Sequence, residues 1–419
     1  MKPSGPIPPG FEEKDGWLAF GGQSVQRWVE EGGTPVFLYS SAMITRRVAE
    51  LRAALPPEIA ISYAVKANPH PDIIGLFNEL VDGFDIASGG ELALLGNLGV
   101  DPARVSFAGP GKRDQELAAA ISAGVTLNLE SAAETERALA IAAQIGIKAR
   151  LAVRVNPDFE LRGSGMKMGG GAKPFGVDAA LVPALVRRIL DAGAEWRGLH
   201  IFAGSQSLDT AAIIEAQNNT LNLADRIAHE AGAPLPHCNL GGGFGIPYFA
   251  GDTPIDLAAI GGALAANLAG RGALLAETRF TLELGRYLVG EAGVYLARIV
   301  DRKTSHGQTF LVTDGGLHHQ LAASGNFGTV VRRNYPVAIA NRYAQPAEET
   351  VTVVGCLCTP LDRLADQVAL PRAEPGDVVA IFCAGAYGAS ASPAQFLGQG
   401  PAREVVIGPR GLSHSGNKV

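Results

Sequence analysis

The chain has 419 residues, 47% hydrophobic and 18% charged, enough to bury a large core in a globular protein of about two or three domains. Its formal charge of −6 offers no clustered excess of Lys and Arg, which argues against nucleic acid or an acidic membrane as partner. Four cysteines, Cys238, Cys356, Cys358 and Cys383, are too few and too unevenly placed for a disulfide framework, and the single residue between Cys356 and Cys358 is shorter than zinc-ligand spacing, so no metal site is expected.

Residues 1–20 are rich in Pro and Gly, with no apolar core of a signal peptide, and are expected to be poorly ordered. No apolar run approaches the roughly 18 residues of a spanning helix, so a cytoplasmic protein is the default expectation. From Pro35 to Leu284, β-rich runs at 36–39, 61–65, 83–86, 104–108, 127–130, 149–155, 198–202, 238–240 and 279–283 alternate with Ala/Leu-rich stretches of helical period. That alternation predicts βα units closing into an α/β (β/α)8 TIM barrel over 36–284, with chemistry where the strands end. Within it, the Gly-rich stretch 163–176 reads as an active-site loop. After Leu284 the runs 293–300, 309–313, 349–354 and 378–381 are short, β-branched and separated by turn residues. They predict a C-terminal all-β domain, a β-sandwich or β-barrel built from 1–35 plus 285–419. The tail after Arg410 is expected to be poorly ordered.

Three places carry chemical side chains. In Ile61-Ser-Tyr-Ala-Val-Lys66, a lysine ends an apolar strand on the face of Ser62 and Ala64; desolvation there would supply a neutral amine, while the alternative is a strand-end lysine reaching water. Asn239-Leu-Gly-Gly-Gly-Phe-Gly245 could bring backbone N–H groups onto a phosphate, or form a simple tight turn. Glu283-Leu-Gly-Arg286 offers a carboxylate and a guanidinium at the end of the last barrel strand, as a cofactor contact or as a surface ion pair.

Together with DIASGGEL at 85–92, FAGPGK at 107–112, RVNP at 154–157, GLHIFAGSQ at 198–206, DGG at 314–316, CTPLD at 358–362 and GAYG at 385–388, these pieces resemble the fold-type III pyridoxal-phosphate enzymes of the diaminopimelate/ornithine/arginine decarboxylase family, whose barrel is alanine racemase-like. The resemblance implies a decarboxylase with pyridoxal 5'-phosphate held as a Schiff base on Lys66. It places Glu283 at the pyridine nitrogen, Gly242, Gly243, Gly285, Arg286, Ser205 and Tyr387 at the phosphate, and Asp85 near Lys66. Arg154 would help hold Ser205 and Glu283. Cys358 would be the general acid, reaching into the partner's site across a homodimer with shared active sites. Arg286, Thr359 and Tyr387 would meet the substrate.

Two departures narrow the substrate. Phe202 stands where the family usually stacks a histidine on the pyridine face, which keeps stacking, loses any titrating role and leaves His200 as a structural residue. Thr359-Pro360 follows Cys358 where an acidic residue usually receives a distal ammonium, so a basic diamino acid is disfavoured. These features resemble a branch that includes decarboxylases of carrier-tethered glutamate and exosortase-associated decarboxylases; the substrate is then an amino acid or an acyl-carrier-protein-linked amino acid, with Lys167, Lys173, Arg332 and Arg333 candidates for an acidic carrier or a carboxylate. The alternatives are a diaminopimelate decarboxylase proper, an amino-acid racemase, and a non-catalytic cofactor-binding regulator. Glu283, rather than an arginine at the ring nitrogen, favours decarboxylation over racemisation.

Overall fold

The computed structural model describes residues 1–325 and 332–408 and divides into two compact units, one formed by Val48–Gly245 and Ile255–Gly285, the other by Met1–Arg47, Ile246–Pro254 and Arg286–Val419. No helix among the described residues is long and apolar enough to cross a membrane.

In the first unit a nine-strand sheet closes on itself, and because the two-residue strand Val177–Asp178 only flanks Arg150–Asn156, eight strands make the ring. They are Ile59–Ala64, Gly83–Ile86, Val105–Phe107, Thr126–Leu129, Arg150–Asn156, Glu195–Ile201, His237–Gly242 and Arg279–Leu284, with the last paired in parallel to the first. Helices between them start and stop where local chemistry directs. Ser88 and Ser131 accept the N–H groups of Glu91 and Glu134 at the starts of Gly89–Asn97 and Ala132–Ile145, and left-handed Gly146 and Gly232 end Ala132–Ile145 and Thr210–Ala231. Val182, Leu185, Val186 and Ile189 form the buried stripe of Val182–Asp191.

Parallel register sets the height of each inward side chain. Arg154, His200, Asn239, Thr281 and Ala60 follow one another across adjacent strands, and Glu283 lies beside Ser62. This brings polar groups far apart in sequence to one end of the barrel.

The second unit is all-β apart from short helices. Its sheet runs Val337–Ile339, Val378–Phe382, Gly293–Ser305, Gln308–Thr313, Glu349–Val354 and Arg363–Leu370. Gly293–Ser305 is long because its first half pairs with Val378–Phe382 and its second half folds back on Gln308–Thr313. The two-residue turn His306-Gly307 has φ of 47° and 77°, the hand that matches strand twist.

Two expectations are corrected here. The run at 36–39 does not open the barrel: Val36–Ser40 pairs antiparallel to Gly293–Ser305 and parallel to Arg403–Ile407 in the β unit, and the barrel's first strand is Ile59–Ala64. All five of its residues are buried, and such a run has no alternation that says which sheet it joins. The N-terminus is also ordered in part, because Phe11–Lys14 and Trp17–Phe20 form a hairpin through Asp15-Gly16 and bury Leu18, Ala19 and Phe20. The tail after Arg410 lies outside the described residues.

Candidate functional site

Lys66 sits in the one-turn 3₁₀ helix Val65–Ala67 at the C-terminal end of Ile59–Ala64, not in the strand itself. The period-of-two argument therefore stops at Ala64, and the turn decides where the lysine goes. Its side chain is exposed rather than desolvated, with Nζ 5.7 Å from the centre of the Phe202 ring. Carboxylates lie close enough to feel its charge: Lys66 pulls the pKa values of Asp85, Glu91 and Glu283 downward.

Glu283 is buried at the end of Arg279–Leu284, and its Oε2 lies 2.7 Å from His200 Nε2. Asn239 Nδ2 donates to the same oxygen at 3.4 Å. Burial alone would push the Glu283 carboxyl up; the hydrogen bond and charge of His200, with Lys66 and Arg154, outweigh it and hold the group ionised. Asp85 is the complement. Burial and the Glu283 charge push its carboxyl up, against the hydrogen bond from Ser106, the nearby Ser62 hydroxyl and the charge of Lys66. One donor atom from each of Asp85, His200 and Glu283 lies within 4.8 Å of the others. Two carboxyls this close resist ionising together, and the one that faces His200 gives up its proton more readily than Asp85.

A second buried network surrounds the first. Arg154 Nη1 donates to Glu130 Oε1 at 2.8 Å, so its hydrogen bond goes to Glu130 and it acts on Glu283 through charge. Glu130 also accepts the N–H groups of Gly109 and Gly176, which ties the FAGPGK turn and the end of the Gly-rich loop to one carboxylate. Lys112, buried, donates to Glu134 at 2.7 Å and to the carbonyls of Gly109 and Asn128.

The glycine turn is required by space as well as by backbone conformation. A Cβ on Gly242 would meet the Glu283 carbonyl oxygen at 2.2 Å, and one on Gly243, whose φ is +76°, would meet Leu161 and Gly204. A Cβ on Gly285 would strike Ala67 at 2.8 Å, so only glycine lets the chain pass behind Lys66. Ser205 pairs with Met166 in the short ladder that draws the Gly-rich loop over this end of the barrel.

The remaining candidates lie in the β unit. Arg286 Nη1 donates to the Tyr248 hydroxyl at 3.0 Å, its guanidinium lies 4.8 Å from the centre of the Tyr387 ring, and its buried Nε has no protein partner. Cys358 is exposed and Thr359 half-exposed, in a turn whose shape comes from Asp362. That carboxylate accepts the N–H of Leu317 at 2.7 Å and of Leu357 at 2.9 Å. Arg333 is exposed over the Phe249 ring, Arg332 is half-buried beside Arg363, and Lys173 is half-exposed. The Lys167 side chain lies outside the described residues.

Sequence reasoning did not single out Glu130 or Glu134, gave no role of their own to Asn239 or Asp362, and took His200 as structural without its contact to Glu283. For Lys112 and Asn239 the motifs FAGPGK and NLGGGFG were visible. Nothing local signals that Glu130 and Glu134 are buried and paired.

Residues 41–290 match the family model described as pyridoxal-dependent decarboxylase, pyridoxal binding domain. The chain is 35% identical over 379 residues, 89% of its length and 88% of the relative's, to an L-glutamyl-[BtrI acyl-carrier protein] decarboxylase of Niallia circulans. It is 31% identical to a diaminopimelate decarboxylase of Aquifex aeolicus, covering 91% of this chain and 88% of that one. Among solved structures, the diaminopimelate decarboxylase of M. jannaschii in complex with L-lysine superposes with a TM-score of 0.86 at 26% identity, over 96% of this chain and 94% of that chain.

Proposed function

The chain belongs to the pyridoxal-dependent decarboxylases, and from that premise we propose which residues do the work and what substrate they take. It is a pyridoxal-phosphate enzyme that decarboxylates an amino-acid substrate. The observation that carries the assignment of residues is the buried Glu283 carboxylate, kept ionised by His200 at the barrel end where Lys66 projects.

The residues fit the cofactor. Lys66 is an accessible amine that would bind it covalently, Phe202 offers a flat apolar face beside that amine, and Gly242 and Gly243 leave backbone bare of side chains at the end of His237–Gly242. Bound there, pyridoxal phosphate supplies an electron sink for the pair left behind when the α-carboxylate departs as CO₂. Glu283 would hold a proton on the pyridine nitrogen, with His200 holding Glu283. Ser205, Gly242, Gly243, Gly285, Arg286 and Tyr387 would serve the phosphate, with Arg286 carrying the positive charge. Arg154 and Asp85 set the charge around Lys66. Cys358 gives its proton to the substrate α-carbon; its exposure in this chain suits a residue that completes the site of a second subunit in a homodimer.

The substrate's far end is uncharged or joined to a carrier, as in the Niallia circulans relative whose name specifies an L-glutamyl carrier protein. Thr359 and Pro360 provide no carboxylate for a distal ammonium, and burying that ammonium unpaired costs several kcal/mol, on the order of a hundredfold or more in binding. The reading places the enzyme in the cytoplasm, where carrier and cofactor are available. The test is CO₂ release from carrier-linked L-glutamate measured beside free diaminopimelate, lysine, ornithine, arginine and glutamate. Preference for the carrier-linked substrate is expected. Faster release from a free basic amino acid would overturn the substrate assignment, and α-hydrogen exchange without CO₂ would overturn the assignment of residue roles.

A further inference from the structure

Parallel barrels usually fill their interior with layers of branched apolar side chains. This one does not in its lower half, where a cavity of about 290 Å³ is bordered by small and polar residues such as Ser62, Ser106, Asn128, Asn239 and Thr281. A water occupies about 30 Å³ in the liquid, so the space holds several. Its lower end opens among Arg197 and Arg279 near the starts of their strands, and Arg279 is exposed. Its upper end is Asp85.

Asp85 is where the cavity matters. Its Oδ1 accepts the Ser106 hydroxyl, which in turn accepts Asn128 Nδ2 at 3.1 Å. Its Oδ2 is buried with no protein hydrogen-bond partner. Leaving a carboxyl oxygen dry and unpaired is costly, and a polar cavity with several partners is where water settles. Further down, His237 Nε2 and Thr281 Oγ1 lie 2.7 Å apart, so partners continue toward the floor. The charged or titratable groups around Asp85 are Glu283, His200 and Lys66, and the Ser106 hydroxyl donates to its Oδ1.

We infer that the barrel lumen holds a chain of waters from Asp85 Oδ2 to bulk solvent at the barrel floor, and that Asp85 exchanges its proton through it. In this step a proton leaves Oδ2 for the first water, each water passes one proton onward, and bulk water at the floor receives it. Uptake reverses the order, and no other bond is made or broken. Decarboxylation followed by protonation of the α-carbon takes up one proton per turnover, and groups around Lys66 change protonation as substrate enters. A path through the floor keeps Asp85 in exchange with solvent while substrate fills the mouth. The inference rests on the assignment of Lys66 and Glu283 above.

A crystal structure of the holoenzyme at about 1.5 Å is expected to show ordered waters continuous from Asp85 past Asn128 and Thr281 to the floor; a dry lumen, or waters confined to one end, would refute the inference. Filling the lumen with Ala152→Leu or Ala60→Leu provides a kinetic test. With the mouth closed by an α-methyl amino acid, the cofactor's visible absorbance should relax at least tenfold more slowly after a pH jump than in the unaltered enzyme. An unchanged rate in a folded variant sinks the path while leaving the role of Lys66 intact. Absence of a visible band in the unaltered enzyme would instead count against Lys66. If neither variant folds, the crystal structure still decides.

Discussion

The two units bury charge for different ends. In the barrel, Asp85, Lys112, Glu130, Glu134, Arg154, His200 and Glu283 are all buried and act on one another. In the β unit the buried carboxylates are dispersed: Asp366 pairs with Lys2 and Arg363, Glu291 pairs with Arg47, and two others hold backbone turns. Asp362 accepts the N–H groups of Leu317 and Leu357, and Asp377 accepts the Glu374 N–H along with Asn341 and Arg342. The first arrangement sets protonation states, which is what a reaction needs. The second fixes turns such as the one that carries Cys358. Substitutions in the barrel should therefore alter cofactor and charge, whereas those in the β unit should act through loop placement.

The sharpest way to break that contrast is Lys66→Ala. It should lower CO₂ release by about 10³-fold or more and abolish the visible band of the bound cofactor, both measured on purified protein. Next is Glu134→Leu, which leaves the Lys112 ammonium buried without its partner and should cost about 3–5 kcal/mol in urea unfolding. Adding Lys112→Met to that variant should restore much of the loss, since the pair is then replaced by apolar groups; a double variant as unstable as the single one would mean the charge is not the cause.

A smaller effect tests the barrel floor by pH. Burial first, then the charges of Arg197, His200 and Arg279, lower His237 from 6.5 to about 4. The unfolded chain therefore binds more protons between those values, so stability is fully present above pH 6.5 and declines as pH falls toward 4. The total is up to about 3 kcal/mol, and His237→Asn should flatten that part of the stability profile.

On the β side, Asp362→Asn should destabilise by about 1–2 kcal/mol, because one carboxylate oxygen that accepts a backbone N–H is replaced by a donor. It should also slow turnover by displacing Cys358. Cys358→Ala closes the series: the cofactor band persists and stability stays within about 0.5 kcal/mol, since the side chain is exposed. Turnover falls roughly tenfold, worth about 1.4 kcal/mol. Unchanged turnover would remove this cysteine from the reaction.

Much of the barrel was legible because buried β-rich runs recur at regular intervals, and eight of the nine expected runs form the ring. The exception, Val36–Ser40, is as apolar as the others; membership was decided by partners more than 250 residues away, such as Leu296 and Val405. Lys66, Glu283 and the glycine turn were legible because each stands at a strand end among recognisable neighbours. His200 was visible but its part was not, because a histidine inside a strand carries no mark of what it faces.

The sequence by itself determined the order of elements, the glycines that let backbone approach backbone, and the set of reactive side chains. These follow from local periodicity, sterics and residue chemistry. Only the tertiary structure decided that the Glu283 carboxyl is pulled toward ionisation while Asp85 is pushed the other way, that Glu130 joins two loops through Gly109 and Gly176, and that the space beneath Asp85 is polar. Each of these depends on parallel strand register around a closed ring, which juxtaposes residues as far apart as Ser62 and Glu283 and sets the field in which they titrate.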